Sequence, residues 1–171
     1  YVMLKDMGIV KRAIVGNYRL SFGQGLAVNT SMKYGKMMMV GTMDRMDRGI
    51  TKHSSTQESG YFTGGAATLQ LGQWQLSAFA SYRKNDGTYN TDSTGMSSLK
   101  TDGLHRTKLE RSKKGNLGIT NIGGNIHWEY HGLQLSATAI ATHLAVPLAP
   151  KFDTPSTTYR FYNAQGKDFF V

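Results

Sequence analysis

His127, Glu129 and His131 alternate through the run His127-Trp128-Glu129-Tyr130-His131. Two histidines four apart with a carboxylate between them would suggest a metal site on a helix, where residues i and i+4 share a face. Met32, Met37, Met38, Met39, Met43 and Met46 crowd a second segment. Thioethers can ligate soft Cu(I), but flexible methionines more often serve as adaptable contacts, so a plug or partner contact is the stronger expectation. A third segment is basic, with Lys100, His105, Arg106, Lys108, Arg111, Lys113 and Lys114. It reads either as a solvated loop or as a salt-dependent attractor of phosphate-bearing lipid or nucleic acid. Few aromatics interleave with the charges, which argues against stacking on single strands.

Cysteine is absent from the 171 residues, which excludes disulfides, thiolate metal sites and cysteine catalysis. Neither an HExxH helix, a phosphate-cradling glycine loop nor a nucleophile elbow is present. No enzyme and no cofactor are therefore expected.

What these residues can do depends on the elements that carry them. The chain holds 20 glycines, 3 prolines, 9 tyrosines and 7 phenylalanines, with aliphatic residues scattered among Ser, Thr, Gln and Asn. That is a vocabulary of strands and turns. No apolar run approaches the ~18 residues of a spanning helix, so a membrane location would require a closed sheet. The net charge of +9 resides mostly in segments that read as loops.

Two hairpins set the period. Tyr61 to Arg83 alternates on both sides of Gly72-Gln73, where glycine at the first central position suits a type II′ turn. Folding there pairs Leu71 with Trp74, Leu69 with Leu76, Ala67 with Ala78 and Gly65 with Ala80 on one face. Gln70 meets Gln75, Thr68 meets Ser77 and Gly64 meets Ser81 on the other. Ile119 to Leu144 behaves alike around His131-Gly132, with Tyr130 against Leu133, Trp128 against Leu135 and Ile126 against Ala137. His127 opposes Ser136 and Asn125 opposes Thr138. On such a strand His127 points to one face while His131 falls in the turn, so the metal constellation does not converge.

The apolar faces are thin and carry Leu, Ala, Gly and aromatics, whereas a soluble sandwich favours bulkier inward residues. Trp74, Trp128 and Tyr130 cluster by the turns, and Tyr82 lies roughly 26 Å farther along its strand, about 20 Å in height at a ~40° tilt. That approaches the ~25 Å apolar band of an outer-membrane barrel. The expected fold is all-β, an antiparallel transmembrane outer-membrane barrel fragment with short periplasmic turns and long extracellular loops. Trp74, Leu76, Ala78, Ala80, Tyr82, Trp128, Tyr130, Leu133, Leu135 and Ala137 are expected to face lipid, and Gln75, Ser77, Ser81, Asn125, His127 and Gln134 the lumen. Arginine should be costly at Ala78 and better tolerated at Ser77.

Strands are expected at about 14–29, 61–71, 74–83, 119–130 and 133–144, with residues 1–10 as a preceding strand and turn. Residues 32–60 and 84–118 read as long polar loops, the latter partly mobile, with Arg106, Lys108, Arg111, Lys113 and Lys114 as an anion-contacting set. The start lacks a charged and apolar leader, and Asp168-Phe169-Phe170-Val171 begins another alternation. The chain is thus expected to be part of one longer barrel. With about six strands it should not close on itself, because the smallest bacterial barrels have eight.

The run Gly16-Asn17-Tyr18-Arg19-Leu20-Ser21-Phe22-Gly23-Gln24-Gly25-Leu26 resembles a strand of a Bacteroidota family of large outer-membrane barrel proteins with an N-terminal helix-hairpin-helix domain. Arg48-Gly49-Ile50, Tyr61-Phe62 with Gly64-Gly65-Ala66-Ala67, Phe79-Ala80-Ser81-Tyr82, Gly103-Leu104-His105-Arg106-Thr107 and Gly123-Gly124-Asn125 follow in the family's order. The similarity spans nearly the whole chain and rests on that order, since each motif is short. It implies an outer-membrane barrel and little about activity. The helix-hairpin-helix element, DNA-binding elsewhere, is outside these residues, so DNA binding transfers to none of them. The methionine-rich segment departs from the family pattern.

The leading expectation is a non-enzymatic outer-membrane barrel acting as channel, uptake component or scaffold for partner proteins. Its expected surroundings are outer-membrane lipid, lipopolysaccharide and other outer-membrane proteins. The alternatives are a DNA-uptake component, supported by the family and the basic segment, and a soluble all-β binding domain. A barrel lipase or protease finds no convergent catalytic set.

Overall fold

The computed structural model describes residues 1–23, 27–28, 30, 48–56, 59–90, 94–100, 106–149 and 165–171. Among the described residues the chain is nearly all β. Its strands are β1 (Val2–Met7), β2 (Val10–Ser21), β3 (Gly49–Lys52), β4 (Phe62–Leu71), β5 (Trp74–Tyr89), β6 (Met96–Lys100), β7 (Leu117–Tyr130), β8 (Leu133–Leu148) and β9 (Gly166–Phe170). One short helix, α1 (Lys108–Ser112), precedes β7.

All nine strands belong to one sheet, in which β1, β2, β4 and β5 follow one another. Beyond β5 the path β5-β6-β8-β7 returns to β5 and closes a β-barrel. This corrects the expectation that the chain would not close. The missing strand was β6, hidden in a polar stretch, which pairs with β5 and touches β8 through a parallel Met96↔Leu148 contact.

The alternation set the hairpin register correctly. β4 and β5 pair Leu71↔Trp74, Leu69↔Leu76, Ala67↔Ala78 and Gly65↔Ala80, with Thr68↔Ser77 and Gly64↔Ser81 between them. Gly72 takes a φ of +60°, as a type II′ turn requires at its first central position. At the second hairpin both His131 (φ 47°) and Gly132 (φ 82°) are positive, the type I′ requirement. A third tight turn, at Gly8-Ile9, joins β1 to β2 through the Met7↔Val10 pair. β7 lies against β5: the Glu129 N–H donates to the Gln73 carbonyl at 3.1 Å, while Gly124 lies beside Ser77. Numbers that fall on one strand as they rise on the other make this pair antiparallel.

Strand ends differ from the sequence reading. β2 starts at Val10 and stops at Ser21 instead of running to about Asn29, because Gly23 turns with φ +50° and Thr30 folds back. The Thr30 N–H donates to the Leu20 carbonyl, and its hydroxyl accepts the Leu20 N–H, both at 2.9 Å. β5 continues to Tyr89 through the turn-like run Asn85-Asp86-Gly87, because Asp86 and Gly87 pair with Lys100 and Leu99 of β6, and β8 continues to Leu148 with no turn residue at its expected end. The segments read as long loops contain β3, β6 and α1. The methionine-rich segment, His105 and the Lys100 side chain lie outside the described residues.

The chain divides into two compact units. Unit 1 comprises Tyr1–Ser81, Asn121–Ala141 and Phe170–Val171. Its core is Ile14, Tyr18, Leu20, Phe22, Val28, Ile50, Ala66 and Phe79. Phe79 packs on Phe22 (6.1 Å between centroids) and Phe62 (5.9 Å), and Phe62 on Tyr18 (5.8 Å). The Tyr18 hydroxyl donates to the Ala80 carbonyl at 2.8 Å, which lets a polar tip end in an apolar interior. Unit 2 comprises Tyr82–Thr120 and Thr142–Phe169. There Met96, Leu117, Ile119 and Leu144 form the core.

Gly123 shows how tightly unit 1 is built. A Cβ at this position would sit 2.6 Å from the Phe79 ring and against the Ala139 carbonyl oxygen. Gly123→Ala should therefore cost about 1–3 kcal/mol, as overpacking does. Equilibrium unfolding with an unchanged midpoint would show that the aromatic core is not packed there.

Candidate functional site: an apolar outer face and a packed interior

Strand alternation gives unit 1 two chemically different faces. The exposed one carries Val2 and Leu4 on β1, Val15 on β2, Ala78 and Ala80 on β5, Ile122 and Ile126 on β7, and Leu133, Leu135, Ala137 and Ala139 on β8. Scattered exposed apolar residues are ordinary, but a contiguous face across successive strands marks an interaction surface. At the turn end an aromatic group borders it. Trp74 and Trp128 lie 6.1 Å apart, Trp128 and Tyr130 5.9 Å, and the His131 ring stands edge-on to Tyr130 at 4.2 Å.

Of the residues expected to face lipid, Trp74, Ala78, Ala80, Tyr82, Tyr130, Leu133, Leu135 and Ala137 are exposed, and Leu76 and Trp128 half-buried. Of the set expected in the lumen, Ser77, Ser81, Asn125 and His127 are buried and Gln75 half-buried. Gln134 is exposed and donates weakly to Glu129 Oε1 at 3.4 Å, because no described strand covers that part of β8.

The interior is not simply polar. Between the Thr68↔Ser77 and Gly64↔Ser81 rungs sits Ala66↔Phe79, an apolar rung on the face that otherwise reads as hydrophilic. Polar groups beside it bond to one another. Thr68 Oγ1 and Ser77 Oγ are 2.8 Å apart, and Ser81 Oγ accepts the Thr63 N–H at 3.0 Å. Asn125 Nδ2 reaches Ser136 Oγ (2.7 Å), Thr138 Oγ1 (2.8 Å) and the Ala137 carbonyl (3.1 Å). His127 Nδ1 is buried and has no hydrogen-bond partner among the described residues. Arginine at Ser77 would displace a bonded, buried hydroxyl, a cost that the comparison with Ala78 has to include.

In unit 2 the basic segment is anchored rather than loose. Thr107 and Glu110 form a capping box at the start of α1, and the Glu110 carboxylate also takes the Arg106 N–H at 2.7 Å. Asp86 Oδ1 accepts the Gly115 N–H at 2.7 Å, and the Asn116 side chain exchanges two hydrogen bonds with Gly87. Arg106, Lys108, Arg111 and Lys114 are exposed, and Lys113 is half-buried. The basic residues therefore stand on a platform tied to β5.

Outward residues that the sequence reading did not assign include Val2, Leu4 and Val15. Ile126, read as sharing the apolar face with Trp128, and Ile122 are exposed on that face as well, although neither was named in the lipid-facing set. Compared with known proteins, the chain matches no protein-family model, no curated protein and no solved structure.

Proposed function

We propose that this chain is part of an integral outer-membrane β-barrel that works without catalysis and serves chiefly as a scaffold for partner proteins. The observation that carries the reading is the continuous apolar outer face of unit 1, bordered by Trp74, Trp128 and Tyr130 beside the short turns. Amphipathic aromatic rings favour the membrane–water interface, and an apolar sheet face of this extent is poorly suited to water. Among channel, uptake component and scaffold, the packed core from Ile14 to Phe79 favours the scaffold, because those side chains fill the space a solute would cross. Membership of the Bacteroidota barrel family belongs to the same proposal, as does contact of the Arg106–Lys114 platform with lipopolysaccharide phosphates on the cell exterior.

The second reading is a soluble all-β binding domain, and the same apolar core favours it. Two measurements separate them. Under the membrane reading the chain needs detergent or lipid to remain monodisperse; a stable monomer in plain buffer would instead support the soluble domain. In intact cells, Lys114→Cys should react with an impermeant thiol reagent. Reaction only after the outer membrane is opened would put the platform in the periplasm. Substituting Gln at Arg106, Lys108, Arg111, Lys113 and Lys114 should weaken binding to lipopolysaccharide and flatten its salt dependence, with folding unchanged.

A further inference from the structure

In unit 1 the apolar filling and the wall around it come from different stretches of chain. Ile14, Ala66 and Phe79 share one rung across β2, β4 and β5. A straight strand from Ile14 to Phe22 would separate the two by roughly 26 Å, yet the Phe22 ring stacks on that of Phe79 at 6.1 Å. The end of β2 therefore folds back into the interior, beyond Gly16, whose φ of +114° L side chains rarely adopt. Two further contacts agree. A Cβ on Gly23 would lie 3.6 Å from Ser136 Cβ on β8, a strand separated from β2 by β4, β5 and β7. Arg12, near the start of β2, donates from Nη1 to the carbonyls of Arg48 (2.6 Å) and Ile50 (3.0 Å), although Ile50 pairs with Leu20 at the far end of the same strand.

The residues that fold inward are apolar: Leu20, Phe22, Val28 and Ile50 are buried in the core of the unit. The wall behind them has a different character, with Thr68, Ser77, Ser81, Asn125 and His127 buried on its inner side. Polar side chains line the inside of barrels whose interior holds water. A permanently dry interior favours aliphatic residues, because every buried polar group there costs free energy unless it is bonded. His127 Nδ1 has no partner among the described residues, a costly arrangement in a dry core and an ordinary one beside water. Ile14, Ala66 and Phe79 are the exceptions on the wall, and they form the seat on which the inward residues rest.

We propose that the end of β2 and β3 form a plug seated on the wall of unit 1 and latched by Arg12, and that its withdrawal opens a water-filled path for small hydrophilic ions along Thr68, Ser77, Asn125 and His127. The proposal rests on the membrane reading and adds a conducting state to the filled one. Tyr18 marks the base of the plug, since its hydroxyl donates to the Ala80 carbonyl at 2.8 Å and holds β2 to the wall just before the chain turns in. Beyond Tyr18, β3 pairs with β2, the strand that carries it, so the two can move together. The latch is a single guanidinium with two acceptors, and hydrogen bonds from a charged donor are the stronger kind.

Locking and unlatching the plug test this in a chain that has no cysteine of its own. The 3.6 Å between a Cβ on Gly23 and Ser136 Cβ suits a disulfide, whose Cβ atoms lie ~3.5–4.5 Å apart. Gly23→Cys with Ser136→Cys is compared with itself, oxidised and reduced, because Gly23 has φ +50° and any side chain there is strained. Flotation with liposomes establishes that each variant is in the membrane, and ion current is then read across planar bilayers bathed in potassium chloride. Arg12→Gln should raise the fraction of time spent conducting about tenfold or more, as loss of a charge-assisted hydrogen bond does. Adding the oxidised cysteine pair to Arg12→Gln should silence that current, and reduction should restore it. Floated Arg12→Gln protein with no added current would overturn the plug, as would current indifferent to the disulfide or failure of the disulfide to form. If the unaltered chain does not float with liposomes, the membrane reading beneath the proposal is what fails.

Discussion

Arginine in place of Ala78 should cost about 2–4 kcal/mol of folding free energy in a bilayer, the penalty for a cation near the midplane of a barrel's outer face. Ala78 is exposed and lies between Leu76 and Ala80 on the outward side of β5, opposite Ala67 on β4. On the membrane reading proposed above, a guanidinium there would have neither water nor a counter-charge within the apolar band. Gln134→Arg is the matched comparison, because Gln134 is exposed at the turn end of β8 and its side chain can reach water. Reversible urea unfolding from lipid vesicles measures both. Equal, small losses at the two positions would mean that Ala78 meets water, and the apolar face would then need an explanation other than lipid.

The second large effect should come from inside. Phe79→Ala should destabilise the protein by about 3–5 kcal/mol, as removal of a fully packed aromatic does. Phe79 is buried, stacks on Phe22, packs tilted against Phe62, and closes over Gly123, whose missing Cβ makes room for the ring. The loss combines transfer of the ring with a cavity that the surrounding strands cannot collapse to fill. The same unfolding measurement applies. A loss under about 1 kcal/mol, well short of that expected for a packed aromatic, would mean a loosely filled interior. That result would return the channel to first place among the proposed roles.

Legibility in the sequence varied with the kind of signal. The hairpin registers could be read residue by residue, because a slip of one position would have mixed Gln70 and Ser77 into the apolar face. The interior was harder. Phe79 and Phe62 stand on the side that Gln75, Ser77 and Ser81 label as polar, and alternation alone does not say that aromatics brought in by β2 meet them. That contact is long-range, and Tyr18 and Phe22 showed only as one face of their own strand. α1 did have a local signal, Thr107 three residues before Glu110, but the surrounding charges made the stretch read as solvated loop. β6 had almost none: five residues with an uneven pattern, made a strand by the neighbours on either side.

The parallel touch of Met96 on Leu148 also dictates an order of events during folding. Hairpins β4–β5 and β7–β8 close across two-residue turns, a process that takes about 1–10 μs in isolation. β6 can gain its second neighbour only after β7 and β8 have been added, because the partner residue is the last of β8. Closing so long a loop carries an entropic cost before it gains any contact. The β6–β8 contact in unit 2 is therefore expected to be the last part to form and the first to open. Amide hydrogens of Ser97 and Ser98 should exchange by a low-energy opening, while those of Ala67 and Leu76 wait for global unfolding.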